Sequence, residues 1–157
     1  MKKNADALHA YLGKHPKVAS LQMMVQAEVE ELGVAAAATG KSGSSAAATL
    51  ALLWLARFLR VLERFLAATS ADPAAPLSAC ITDAYDSALK PHHTWVTQSV
   101  IGKALKFSPS REEFYCKLGA DRRAVEQGVR DLLAAYSPPL AVLQAFMLAE
   151  GLEKPDL

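Results

Sequence analysis

Little cysteine, few aromatics, almost no strand pattern and no excess charge of either sign mark this 157-residue chain. Two cysteines, Cys80 and Cys116, make no disulfide framework, so a reducing compartment is the expectation. With 17 Lys and Arg against 16 Asp and Glu, the net charge of +1 gives no electrostatic drive toward nucleic acid. The opening MKKNADALHAYLGK has no apolar h-region of the kind a secretory signal carries. The longest run without a charge inside a helix-like stretch reads as Ser42 to Ala56, too short and too serine-rich at its start to span a bilayer. What is present is apolar: 52% of the residues are hydrophobic, which with near-zero net charge excludes disorder. Such a length suits one domain, residues 1–157, burying roughly 70% of the surface its unfolded chain exposes. A soluble intracellular domain with an unusually apolar interior is expected.

Period-2 alternation is missing, while Ala, Leu, Glu, Arg and Gln dominate the longer segments, so the fold class reads as all-α. Asn4 to Leu12 carries Leu8, Tyr11 and Leu12 and is stopped by Gly13. Lys17 to Leu32 sets Val18, Leu21, Met24, Val25, Val29 and Leu32 on one face, and Gly33 ends it. The Ala/Gly/Ser tract from Ala35 to Ser45 reads partly as a loop. Ser45 to Ala68 is apolar almost all the way round, with Arg57, Arg60 and Arg64 as one polar stripe, the pattern of a helix surrounded by others. Further helices are expected over Leu77 to Leu89, His92 to Lys106 behind Pro91, and from Ser108 with an acidic first turn. Asp121 caps a helix through about Ala135, and Ser137-Pro-Pro starts the last one, through about Glu150.

Few groups carry chemistry. Thr39-Gly-Lys-Ser42 looks like the end of a P-loop, but Ala35 stands where the first glycine belongs and a helix precedes it instead of a strand. A plain helix connection is the better reading. Adjacent His92 and His93 point about 100° apart on a helix and rarely share one metal, and no Cys/His/Asp cluster at ligand spacing accompanies them. Neither cysteine has a catalytic signature, and no Gly-x-Ser-x-Gly elbow exists, so no enzyme, metal or cofactor is expected. Trp54 reads either as a core tryptophan or as a stacking platform whose face holds a sugar ring. Trp95 offers the same choice between core and interface anchor.

Three segments together resemble one family. ATLALLWLARFLRVL from Ala48, AYDSALKPHHTW from Ala84 and ALKFSPSREEF from Ala104 follow the order and spacing of the glycolipid transfer protein family. The resemblance runs from about Asn4 to Glu150. It implies a two-layer helical sandwich holding one lipid, with chains inside and head group at the surface. By that resemblance Trp54 stacks on the first sugar, His93 contacts the ceramide amide, and Leu53, Leu89, Ile101 and Leu105 line the chains. Members that carry ceramide phosphate have arginines at the positions of Leu50 and Trp54, where guanidinium forks grip phosphate. This chain has neither, so its pattern is that of the neutral glycolipid carriers. Trp95, Tyr85 and Lys90 match positions that dock on membranes, and Arg57 matches a shared structural arginine.

The start of the chain departs from the pattern. The family's Asp-x-x-x-Asn-x-x-Lys set falls with its asparagine at Asn4, its lysine position at Ala7 and its aspartate before Met1, so the fold is expected to lack the first helix. The resemblance then implies a non-enzymatic carrier of a sphingolipid or glycolipid, cytoplasmic and transiently at membrane surfaces. The alternative is a lipid-sensing or protein-interaction module that has lost transfer, since each lost charged hydrogen bond costs about 1.5–3 kcal/mol. An uncovered N-terminal face would also favour self-association.

Overall fold

The computed structural model describes residues 2–39, 47–119 and 121–153. Among them no strand occurs, and eight α-helices follow in order: α1 (Lys2–Lys14), α2 (Leu21–Leu32), α3 (Val34–Thr39), α4 (Ala47–Ala71), α5 (Leu77–Ala88), α6 (Trp95–Leu105), α7 (Arg111–Leu118) and α8 (Arg122–Ala149). A single 3-10 turn, Lys90–His92, links α5 to α6.

Local chemistry explains most of the ends. Ser20 caps α2 by accepting from the Met23 N–H, and Gly33 closes it at φ 81°, a left-handed conformation that a side chain would strain. Ser110 and Glu113 form a reciprocal capping box at the start of α7. Asp121 takes the N–H groups of Arg123 and Ala124 and so opens α8.

Three expectations are corrected. The helix expected from Lys17 begins only at Leu21, behind the Ser20 cap; the tract after Gly33 contributes the short helix α3, and Gly40 to Ser42 of the P-loop-like string lie outside the described residues. The helix expected from His92 starts at Trp95, because Pro91 sits in the 3-10 turn and Thr94 supplies the cap. Most tellingly, α8 does not break at Ser137-Pro-Pro but runs through Pro138 and Pro139. Each proline deletes a helical hydrogen bond. The carbonyls of Ala134 and Ala135 freed in this way belong to exposed residues, where solvent satisfies them. Continuity also changes the reading of charge-free runs: Leu132 to Ala149 lacks a charge altogether and is longer than Ser42 to Ala56. By length and mean hydropathy (1.6), α8 is the one described helix long and apolar enough to cross a membrane, although only 11% of that stretch is buried in the protein.

The described residues group into two compact units, one of residues 1–57 with 141–157, the other of residues 58–140. In the first, Met24 and Val25 of α2, Ala37 of α3, and Ala48, Leu52 and Leu53 of α4 close over Met147 and Leu152. Helix α1 adds only the half-buried Leu8 and Tyr11. In the second, Val61, Phe65 and Leu66 of α4 pack with Leu77, Cys80, Ala84 and Ala88 of α5 and Val129 of α8. Phe65 and Phe114 meet edge to face, with ring centroids 5.5 Å apart.

Candidate functional site

In the first unit, the site residues lie on α4 and α1. Leu53 is fully buried in the core, while Leu50 and Trp54 are half-buried on the same helix. The Arg57 guanidinium lies over the Trp54 indole, 5.3 Å from its centroid. That distance is within cation–π range. Arg57 is itself gripped by Glu153: Nε donates to one carboxylate oxygen at 2.8 Å and an η nitrogen to the other at 3.0 Å. A bidentate fork of this kind fixes the plane of the guanidinium. Asn4 and Ala7 are half-buried on α1.

A buried carboxylate stabilises the start of α4. Glu28 of α2 is buried and accepts the Thr49 N–H at 2.7 Å, one of the helix-start donors that lack an intrahelical partner. Its other oxygen and the Thr49 hydroxyl have no hydrogen-bond partner among the described residues. This geometry holds the turn from which Leu50 and Trp54 project.

In the second unit, His93 follows the 3-10 turn and its Nδ1 lies 3.1 Å from the Tyr85 hydroxyl. Tyr85 is only 4% exposed. Its hydroxyl is set against His93. Gln98 Nε2 donates to the carbonyls of both Lys90 and His93 at 3.0 Å, tying the turn to the second half-turn of α6. Burial pushes the His93 pKa below the ordinary imidazole value, so the ring is neutral near pH 7. Burial also raises the Tyr85 pKa, with Asp86 adding to the effect and Lys90 opposing it. Lys90 is half-exposed and paired with Asp86 at 2.8 Å. Leu89, Ile101 and Leu105 are half-buried, the last two on α6.

Trp95 stands out at 79% exposed, and Val96, Val100 and Phe107 are exposed with it. No residue of α6 is buried.

Three residues that matter to this arrangement escaped the sequence reading. Glu28 sits at i+3 and i+4 from Val25 and Met24, and four residues before Leu32, so its place on the apolar face was visible in the spacing. Gln98, four residues after the cap Thr94, and Glu153, ninety-six residues from Arg57, had no local signal.

An all-α protein with a half-buried tryptophan on a long, apolar core helix and a tyrosine-bound histidine at a helix junction is the class these features define. The family model for glycolipid transfer protein (GLTP) matches residues 1–120, and the chain belongs to that family. Pleckstrin homology domain-containing family A member 8 of Rattus norvegicus is 30% identical over 156 residues, 94% of this chain and 28% of that protein. The chain thus spans about a quarter of that relative's length. Among solved structures, FAPP2, described as selecting simple glycosphingolipids using the GLTP fold, superposes with a TM-score of 0.77 at 27% identity. That superposition covers 99% of this chain and 74% of that one. Human ceramide-1-phosphate transfer protein in complex with 12:0 ceramide-1-phosphate gives a TM-score of 0.81 at 22% identity, covering 95% of this chain and 73% of that one, a likeness of fold.

Proposed function

We propose that the chain binds a sphingolipid with a neutral sugar head group and carries it, without any covalent step, between cytoplasmic membrane surfaces. The observation that carries this reading is Trp54: an indole held by Arg57 on a helix that shows leucine, not arginine, at residue 50. A sugar ring stacks on an aromatic face, whereas a phosphate needs guanidinium forks. Arg57 lies over that indole, and Glu153 holds it there with two hydrogen bonds. His93, neutral at pH 7, suits a polar but uncharged partner such as the ceramide amide. Asn4 on α1 would add a hydrogen bond at the head group. The exposed Trp95, with Lys90 near the same helix start, suits docking at a bilayer surface, where an aromatic ring and a cation both find partners.

Transfer of labelled galactosylceramide between vesicles tests this. Wild type is expected to transfer it, to leave ceramide-1-phosphate behind, and to lose most activity in Trp54→Ala. Absence of transfer by wild type, or full activity in Trp54→Ala, would sink the carrier reading. Ala7, where the family carries lysine, favours one second reading, a lipid-sensing module. Stoichiometric binding of galactosylceramide without vesicle-to-vesicle transfer would select it.

A further inference from the structure

We propose that Tyr85 is a positioning residue that sets the tautomer and orientation of the His93 imidazole. The proposal deepens the function given above, resting on it for the ligand but not for the proton.

Tyr85 belongs to the buried face of α5, between Ala84 and Ala88 of the second core, so its ring has little freedom. Its hydroxyl meets His93 Nδ1 at 3.1 Å, with the two rings tilted by 34° at a centroid distance of 5.8 Å. The backbone beneath the imidazole is held independently. The His93 N–H donates to the Lys90 carbonyl at 3.1 Å, and the Gln98 amide joins the Lys90 and His93 carbonyls. A ring restrained at one nitrogen and at its backbone keeps one orientation.

Chemistry decides which atom donates. Burial raises the Tyr85 pKa and lowers that of His93, so both groups are neutral near pH 7. A phenol O–H is the stronger acid of the two, and an imidazole sp² nitrogen is the better acceptor. Tyr85 therefore donates and Nδ1 accepts, which leaves the ring hydrogen on Nε2. An imidazole in this state offers an N–H donor to the amide oxygen of a sphingolipid. In the other tautomer, Nε2 would present a lone pair to that oxygen and repel it. Tyr85 thus selects the form of His93 that recognises the lipid backbone, acting through the imidazole from a buried position.

Histidine-selective ¹³C and ¹⁵N NMR on the full chain reads the tautomer directly, with Tyr85→Phe as the test. Tyr136→Phe is the control, because Tyr136 is half-buried and donates its hydroxyl to a backbone carbonyl, that of Leu59, at 3.3 Å. Wild type should give the Nε2–H signature for His93. Tyr85→Phe should shift it toward a mixture and weaken galactosylceramide binding roughly 3–10-fold, the size of one neutral hydrogen bond. Tyr136→Phe should lower resistance to denaturant and leave the His93 signature unmoved. In a His93→Ala background, Tyr85→Phe should cost no further affinity. An Nδ1–H signature in wild type overturns the proposal, as does a Tyr85→Phe protein with unchanged signature. If no variant binds galactosylceramide yet the signature moves only in Tyr85→Phe, the lipid reading falls and the positioning role stands.

Discussion

Helices α4 and α6 are written in similar residues and put to opposite use. From Ala48 to Ala56, α4 buries Ala48, Thr49, Ala51, Leu52, Leu53 and Ala56, whereas α6 buries nothing and leaves Val100 63% exposed. Both helices are apolar along most of their length, and α6 has a single charged residue, Lys103. Hydrophobicity therefore does not decide burial; available partners do. The first three turns of α4 are enclosed by α2, α3 and the residues around Met147. Helix α6 is held chiefly at its start, by the Thr94 cap, the Gln98 amide and the turn that carries His93. A helix that is apolar, exposed and anchored at one end suits the docking role proposed for it above.

The sharpest break of this contrast is Leu53→Ala. Leu53 is 0% exposed, so its truncation leaves a cavity among Met24, Leu52 and Met147. The expected loss is about 2–5 kcal/mol in a denaturant titration. A loss near zero would mean that the α4 core is not the dry packing described.

Glu153→Ala should come next, at about 1–3 kcal/mol, because it strips a half-buried guanidinium of two charge-assisted hydrogen bonds. In a Trp95→Phe background, Trp54 is the only tryptophan, and its emission should shift as Arg57 leaves the indole face. An unchanged spectrum would show that Glu153 does not hold Arg57 against Trp54.

On α6 and the turn after it, Trp95→Ala and Phe107→Ala should each alter stability by less than about 0.5 kcal/mol, since the two side chains are 79% and 87% exposed. The proposed membrane face predicts a different loss: each should weaken association with neutral vesicles about tenfold, the value of one aromatic side chain moved out of water. Sedimentation with vesicles measures it, and unimpaired association in the double variant would remove α6 from the docking surface.

These contrasts also mark what the chain discloses by itself. Gly33, Ser110 and Asp121 announce helix ends because a cap is local chemistry, settled within three or four residues, whereas the Ser20 cap was passed over inside a helix expected from Lys17. The helical class and the identity of α4 were legible for the same reason. Pro138 and Pro139 misled because their penalty is local while the stabilisation of α8 is tertiary. In the site, the spacing of Trp54, His93 and Trp95 could be read from motif alone. Tyr85 could not be read as a partner of His93: the face of α5 it occupies is decided by what packs there, and only the fold brings the two together. Glu153 was further out of reach, since no pattern within α4 points to a carboxylate beyond the end of α8.

The smallest effect falls at the start of α6. His93, just before α6, has its pKa lowered by burial, so the unfolded or locally opened chain binds a proton more readily than the folded one. Above the ordinary imidazole value of about 6.5 the group makes no difference to stability. As pH falls through that value toward the lowered one, the folded junction loses stability, and below both values the loss is complete. Amide protons from Thr94 to Gln98, corrected for intrinsic exchange, should therefore lose protection as pH falls below about 6.5, and the slope should vanish in His93→Gln. A slope that survives this substitution would belong to another group. A slope that disappears would mean that the exposed, apolar α6 is attached through a titrating anchor, while the enclosed part of α4 depends on packing that pH does not reach by this route.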